Sequence, residues 1–171
     1  MEQEYTSART SIKQVPAGFK IVDKHFGWQP NTINLDIGGG KYDLMTEKLL
    51  TKNVTNLVYD PYNRSMQHNG EVINTVLRVK GVDSVTIFNV LNVIKERMIQ
   101  SEVLCLAKSA LKDGGMLYVR STYMNPAKRS GVTKSGTFQH YKTPREYLEI
   151  VKDIFPKAEL KFGIIYVKKG D

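Results

Sequence analysis

The chain has 171 residues, of which 41% are hydrophobic and 25% charged, proportions that are ordinary for one soluble globular domain. Its longest apolar runs are too short to span a bilayer, and its first residues lack the apolar core of a secretory signal, so we expect neither a membrane span nor secretion. The lone Cys105 cannot form an internal disulfide, which favours a cytoplasmic location.

Hydrophobic periodicity in the first half predicts helices that alternate with strands. From the amino end these are a helix over 10–25, a strand over 32–37, a helix over 42–52 and a strand over 56–60. The segment 70–81 fits either a helix or a strand. Only 28 residues lie between Asp60 and Asn89, which predicts a truncated third strand or helix in this region.

The second half continues the alternation. It predicts a strand over 84–91, a helix over 96–111, a strand over 116–121, a polar loop over 122–142, a helix over 143–155 and one or two final strands hinged at Gly163. This order predicts a single α/β domain over 1–171, a Rossmann-like three-layer sandwich that has a mostly parallel sheet with an antiparallel C-terminal edge. Residues 1–30 form an N-terminal helical extension in this prediction.

A glycine-rich turn joins the first predicted strand to the helix that follows it. The dinucleotide fingerprint G-x-G-x-x-G fails here, because the third glycine falls at Asp43. The acidic-first spacing of Asp36, Gly38 and Gly40, with Gly39 between the glycines, fits an S-adenosylmethionine (SAM) site instead. The glycines let the backbone approach a ligand, and the carboxylate lies near the methionine ammonium. The alternative is a purely structural turn.

Asp60 ends the second predicted strand, about twenty residues after the glycine turn. A carboxylate at this place can accept both hydroxyls of a ribose, so we interpret Asp60 and the adjacent Pro61 as cofactor-binding residues. The other interpretation is an acidic residue in a turn before proline.

Candidate catalytic residues are few. Asn89 and Asn92 follow the predicted strand 84–91 and can line the pocket with amide groups, and Asn89 is also a cofactor-binding candidate. His140 lies in the polar loop, where it is a candidate for acid–base chemistry, whereas His25 and His68 fit surface positions. No group of residues has the spacing of a metal site, and we expect none.

Positive charge is concentrated toward the C-terminus. The formal net charge is +8, and from Arg120 onward eleven Lys or Arg oppose five Asp or Glu. The basic loop 122–142 mixes cations with aromatic rings, a pattern suited to stacking on bases beside phosphates. The candidate substrate-binding residues are Arg120, Lys128, Arg129, Lys134, Phe138, Gln139 and Tyr141. The alternative is a loop that packs its own aromatic rings on the core.

Several stretches resemble the class I SAM-dependent methyltransferases, and among them the methyltransferases associated with DNA phosphorothioation systems. In order along the chain they are RTSIKQVPAGFK, LDIGGGKYD, VYDPYNR, SVTIFNVLNVIKERM and SGTFQHYKTPREYLEIV. Lys41 departs from the small residue common after such a glycine loop. A lysine beside a sulfonium is unfavourable, so the resemblance requires the Lys41 side chain to point outward.

The resemblance implies SAM as cofactor and methyl transfer as the reaction, with nucleic acid as the expected acceptor because of the basic loop. A second hypothesis is a non-catalytic protein that keeps the cofactor fold and acts on DNA or a partner protein in a modification or anti-restriction system. A nicotinamide-dependent oxidoreductase is disfavoured by the glycine spacing.

Overall fold

The computed structural model describes residues 3–6, 8, 12–121 and 128–170. The helices are α1 (Ala17–His25), α2 (Leu44–Leu50), α3 (Met66–Arg78), α4 (Arg97–Ala110) and α5 (Pro144–Lys152). The strands are β1 (Thr32–Ile37), β2 (Val54–Tyr59), β3 (Val82–Phe88), β4 (Leu111–Arg120), β5 (Gly131–Val132), β6 (Phe138–Gln139), β7 (Glu159–Lys161) and β8 (Ile164–Lys168).

Six of these strands form one sheet in the order β2-β1-β3-β4-β8-β7. The pairs β1–β2, β1–β3 and β3–β4 are parallel, whereas β8 runs antiparallel to both β4 and β7. Strands β5 and β6 form a separate small hairpin. The predicted Rossmann-like sheet with an antiparallel C-terminal edge is therefore confirmed.

Helices cover both faces of the sheet, and its central strands β1 and β3 are buried on both sides. On one face α3, α4 and α5 contribute side chains such as Val76, Leu104 and Tyr147 to the larger core. On the other face α1 and α2 contribute Phe19 and Leu49 to the smaller core. These layers make the three-layer sandwich.

The first helix begins later than predicted. The periodicity predicts a start at residue 10, which lies outside the described residues, but α1 begins at Ala17 with Pro16 as its N-cap, and Ile12 is exposed. Proline disfavours helical backbone at the residue before it, so the helix cannot extend upstream through Val15.

Two other segments are more regular than predicted. Strand β4 begins at Leu111, directly after α4, and its pairing with β3 shifts register between Val82 and Ser84. The described part of the basic loop contains the β5–β6 hairpin, whereas residues 122–127 lie outside the described residues. The segment 70–81, which fits either structure by sequence, lies mostly in α3.

The region between β2 and β3 is short, as the spacing predicts. It contains α3 and, within the described residues, no strand, so β2 forms an edge of the sheet. Because Tyr59 O accepts from Gly38 N on the β1 side, the preceding carbonyl, Val58 O, faces the outer edge. There it accepts from His68 Nε2 of α3 at 2.8 Å.

The described helices include none with the length and apolar character that crossing a bilayer requires.

Candidate cofactor and acceptor site

The candidate site lies at the edge of the sheet where the parallel strands β1 to β4 end. Ligands of open α/β sheets bind outside the carboxyl ends of the strands, next to the point where the strand order reverses. Here the reversal lies between β1 and β3. Asp36, Asp60 and Asn89 stand at or just beyond the ends of β1, β2 and β3, so the fold brings the predicted cofactor residues to one edge.

The glycine turn after β1 requires its glycines for its own packing. Gly38 has φ +73°, and a Cβ there would lie 2.4 Å from Val90 Cγ2. A Cβ on Gly39 would lie 2.3 Å from Asp36 Oδ2, too close for any side chain. Gly40 also has a positive φ, of 74°. The turn therefore runs directly over the Asp36 carboxyl group, a path that only glycine permits.

Asp36 is almost fully buried, and its Oδ1 accepts a hydrogen bond from Thr86 Oγ1 at 2.9 Å. Burial raises the pKa of the Asp36 carboxyl to about 7, although the Thr86 hydroxyl opposes the shift, and the neighbouring Asp60 carboxylate adds to it. Thr86 also accepts from Asn34 Nδ2 at 3.0 Å, which continues a buried polar chain across β1 and β3. A cation placed beside Asp36 would favour its ionised form.

The Asp60 carboxylate organises the turns around it. Its Oδ2 accepts from Gly40 N at 2.9 Å and from Asn63 Nδ2 at 3.0 Å. Its Oδ1 accepts from the backbone N–H groups of Tyr62 and Asn63, each at 3.0 Å. Pro61 lies exposed in the same turn. Asp60 thus ties the glycine turn to the segment after β2.

Arg64 is a site residue that the sequence reasoning did not single out. Its Nε donates to Gly40 O at 2.8 Å, and its Nη2 lies 2.7 Å from Asp43 Oδ1, so the guanidinium holds both ends of the glycine turn. The sequence signal for Arg64 was its position at the end of the stretch VYDPYNR, four residues after Asp60. Lys41 is exposed, with its Nζ 5.1 Å from the centroid of the Tyr42 ring.

Asn92, Gln139 and His140 come together from distant parts of the chain. His140 N donates to Asn92 O at 2.7 Å, and Asn92 Nδ2 lies 3.3 Å from Gln139 Oε1. Burial lowers the pKa of His140, and the positive charge of Lys142 lowers it further, so the imidazole is neutral at pH 7. Asn89, by contrast, is exposed in a left-handed conformation, and its backbone N–H donates to Arg120 O at 2.7 Å.

Buried polar atoms without a hydrogen-bond partner in the described chain occur beside these contacts. They include Asn92 Oδ1, Arg120 Nε, Ser121 Oγ and His140 Nδ1. Arg120 ends β4 and Ser121 follows it, and the bond between Asn89 N and Arg120 O connects that end to the turn that carries Asn92. Buried polar groups usually find a partner, so this side of the edge has unused capacity to bind a polar ligand.

The basic loop divides into an exposed charged part and a packed aromatic part. Lys128, Arg129 and Lys134 are exposed. Phe138 is only 8% exposed, and its ring packs edge-on against His140 with centroids 4.7 Å apart. The ring is used in packing, which favours the alternative in which the loop packs its own aromatic rings on the core. Tyr141 is half-buried, with Lys128 Nζ 5.9 Å from its ring centroid.

The N-terminal residues lie across this edge, a placement that the sequence reasoning missed. Gln3 N donates to Tyr62 Oη at 3.4 Å, just after β2. Glu4 forms an ion pair with Lys95, and the Tyr5 ring lies 6.1 Å from the Phe138 ring. Residues 3–5 thus connect the Asp60 side of the edge to the His140 side.

No protein-family model matches the sequence, and no curated protein is significantly similar to it. Solved structures are similar in fold. One of them is a Burkholderia thailandensis 1,6-didemethyltoxoflavin-N1-methyltransferase with bound 1,6-didemethyltoxoflavin and S-adenosylhomocysteine. The similarity covers 98% of this chain and 80% of the methyltransferase chain, with a TM-score of 0.63 and 14% sequence identity.

The similarity to a SAM-dependent methyltransferase from Methanosarcina mazei covers 85% of this chain and 96% of that protein's chain, with a TM-score of 0.62 and 14% sequence identity. The similarity to a TehB-like SAM-dependent methyltransferase from Corynebacterium glutamicum covers 95% of this chain and 92% of that protein's chain, with a TM-score of 0.54 and 13% sequence identity. The chain therefore has the Rossmann-like fold of the class I SAM-dependent methyltransferases.

Proposed function

We propose that this protein is a SAM-dependent methyltransferase that acts on nucleic acid. The observation that carries the proposal is the hydrogen bond of 2.9 Å between Gly40 N and Asp60 Oδ2, which joins an acidic-first glycine turn to a strand-end acid beside the switch point of the sheet. The structural neighbours support the same cofactor, since they are SAM-dependent methyltransferases.

The donor set fits this cofactor. Asp36 would hold the methionine end, the backbone of Gly38 to Gly40 would line the approach, and Asp60 with Pro61 would hold the ribose. Asn89 would stand at the pocket rim. The cofactor supplies an electrophilic methyl group on sulfur. A cation favours the ionised form of Asp36, so the two acidic residues suit a cationic ligand. The side chain of Lys41 lies over the Tyr42 ring and does not enter the turn.

The Asn92–His140 side of the edge would hold the acceptor. A nitrogen or oxygen that gains a methyl group must lose a proton, and the buried His140 Nδ1 has no partner in the described chain and belongs to a neutral ring. Asn92 Oδ1 and Gln139 would orient the acceptor through hydrogen bonds. Most of the remaining rate would come from positioning.

The nucleic-acid part of the proposal rests on charge. The net charge is +8, and Lys128, Arg129 and Lys134 are exposed on the loop that carries His140. Arg120 and Tyr141 would complete the contact surface. Together they place cations beside the proposed acceptor groups, an arrangement that attracts a phosphate backbone.

Methyl transfer tests the proposal directly. We expect label from methyl-labelled SAM to appear in DNA or RNA when the full chain is incubated with pools of nucleic acid, protein and small molecules. Label in a small heterocycle alone would keep the methyltransferase and overturn the nucleic-acid acceptor. The neighbour that binds 1,6-didemethyltoxoflavin makes that outcome a specific alternative.

The basic loop has its own test. Replacing Lys128, Arg129 and Lys134 with Gln should lower the slope of log affinity for DNA against log salt by about 0.9 for each lost phosphate contact. The matched control replaces the exposed Lys157, Lys161 and Lys168 with Gln, which changes the net charge equally. Equal slopes in the two triple variants would exclude the loop as the contact.

The second candidate function is a non-catalytic role in a DNA modification or anti-restriction system. Membership of the phosphorothioation-associated group would be consistent with such a role and with a cytoplasmic location. The shortened segment between β2 and β3 favours it, since α3 alone connects them within the described residues. Binding of S-adenosylhomocysteine and DNA without methyl transfer to any pool would favour this candidate.

A further inference from the structure

The proposed ribose ligand, Asp60, already has its acceptor capacity filled. A carboxylate offers about four lone-pair positions. Four donors occupy them here, two on each oxygen: Tyr62 N and Asn63 N on Oδ1, and Gly40 N and Asn63 Nδ2 on Oδ2. Asp60 is also only 4% exposed. A ribose hydroxyl can therefore donate to Asp60 only if one of these donors leaves.

The four donors differ in how readily they can leave. Three are backbone N–H groups whose positions are fixed by the glycine turn and by the turn after β2. That second turn is closed by Arg64 N donating to Asp60 O at 3.0 Å. The fourth, Asn63 Nδ2, belongs to a half-buried side chain, and its bond to Asp60 can break through a change of side-chain torsion that leaves the backbone in place. Rotation of one side chain disturbs the fold far less than rearrangement of two turns.

We propose that the Asn63 amide is an internal competitor for the ribose hydroxyl, so that a nucleoside binds by displacing Asn63 from Asp60 Oδ2. This inference rests on the proposed function, since it concerns the same pocket. It identifies Asn63 as a residue that sets cofactor affinity and selects ligands with a ribose diol, because only a hydroxyl donor replaces the hydrogen bond that Asp60 Oδ2 loses when Asn63 leaves.

The competition lowers the apparent affinity in proportion to the fraction of molecules in which Asn63 is bound to Asp60. Removing the amide frees that oxygen in every molecule. Substituting Asp60 itself would give no clear answer, because its loss would also release the glycine turn. Asn63→Ala is the sharper change, since it keeps the backbone N–H that donates to Oδ1.

The experiment measures S-adenosylhomocysteine binding by calorimetry to the wild type, to Asn63→Ala and to Gln67→Ala. Gln67 is the matched control, because its Nε2 also donates to a carboxylate, that of Glu71, at 3.0 Å on the exposed face of α3. We expect Asn63→Ala to bind about three- to ten-fold more tightly, the size of one hydrogen bond, and Gln67→Ala to match the wild type. Unchanged or weaker binding by Asn63→Ala would overturn the inference.

A second ligand separates this inference from the proposed function. The 2′,3′-dideoxy analogue of S-adenosylhomocysteine has no hydroxyls to compete with Asn63, so Asn63→Ala should leave its affinity unchanged. Equal tightening for both ligands would assign the effect to a general opening of the pocket and overturn the competition. If neither the wild type nor the variants bind S-adenosylhomocysteine, the proposed function fails, whatever the role of Asn63.

Discussion

The two halves of the sheet edge differ in how completely their polar groups are paired. On the β1–β2 half, the buried side chains of Asn34, Asp36, Asp60 and Asn69 all make hydrogen bonds. On the β3–β4 half, Asn92 Oδ1, Arg120 Nε, Ser121 Oγ and His140 Nδ1 have none in the described chain. One half is internally satisfied, and the other has unused capacity.

This difference matches the two tasks of the proposed enzyme. A cofactor site gains from a rigid turn whose geometry is fixed before binding. An acceptor site needs polar groups that pair only when the acceptor arrives, and unpaired groups also discriminate against molecules that fail to satisfy them.

Gly39→Ala should have the largest effect. The new Cβ would lie 2.3 Å from Asp36 Oδ2 and 2.9 Å from Val58 Cγ1, so the turn must move away from Asp36. We expect S-adenosylhomocysteine affinity to fall by several hundred-fold, about 3 to 4 kcal/mol, in calorimetry. Gly70→Ala is the control, since a Cβ there meets nothing within 4 Å and should stabilise α3 slightly. Equal affinities in the two variants would show that the turn does not form the cofactor site.

Asp36→Asn should change how stability depends on pH. The pKa of Asp36 is raised from 3.8 to about 7, so the folded state holds this proton more tightly than the unfolded state. Stability from this group is complete below about pH 4 and is lost as the pH rises through 7. From pH 5 to pH 8 the free energy of unfolding of the variant should therefore rise by about 2 to 3 kcal/mol relative to that of the wild type, as measured by denaturant unfolding. The control is Asp113→Asn, at an exposed residue, which should show no such gain. If the stability of Asp36→Asn varied with pH in the same way as that of the wild type, the raised pKa would be contradicted.

His140→Asn tests the unpaired half. Loss of the proposed proton acceptor should lower kcat about 10- to 100-fold and leave S-adenosylhomocysteine affinity unchanged, because His140 stands on the acceptor side. His25→Asn, on the surface beside Phe162, is the control and should retain full kcat. A loss of cofactor affinity in His140→Asn would mean that the two halves are not separate.

Arg64→Gln should give the smallest change. It removes the charged bond to Asp43 and weakens the bond to Gly40 O. The turn would loosen without a clash, so we expect cofactor affinity to fall about three- to ten-fold in calorimetry. Arg78→Gln, at the exposed end of α3, provides the comparison. A loss as large as that of Gly39→Ala would mean that Arg64 contacts the ligand itself.

The parts of this site that depend on local sequence pattern could be predicted from the sequence. The strand ends and the glycine spacing are local, so Asp36, Gly38 and Asp60 could be placed at one edge in advance. The partners Thr86 and Arg64 could not, because their contacts join residues 50 and 24 positions apart. For Phe138 the sequence left two interpretations open, stacking on a base or packing on the core, because a polar loop gives no signal that decides between them.

The outer edge of β2 has a consequence for solubility. An unpaired strand edge is a template on which another chain can add a strand and aggregate. Here α3 covers the end of that edge: His68 Nε2 binds Val58 O, Asn69 Oδ1 accepts from Asp60 N, and Asn69 Nδ2 donates to Asp60 O. Two side chains thus supply the hydrogen bonds that a neighbouring strand would make, and they act as gatekeepers against strand addition.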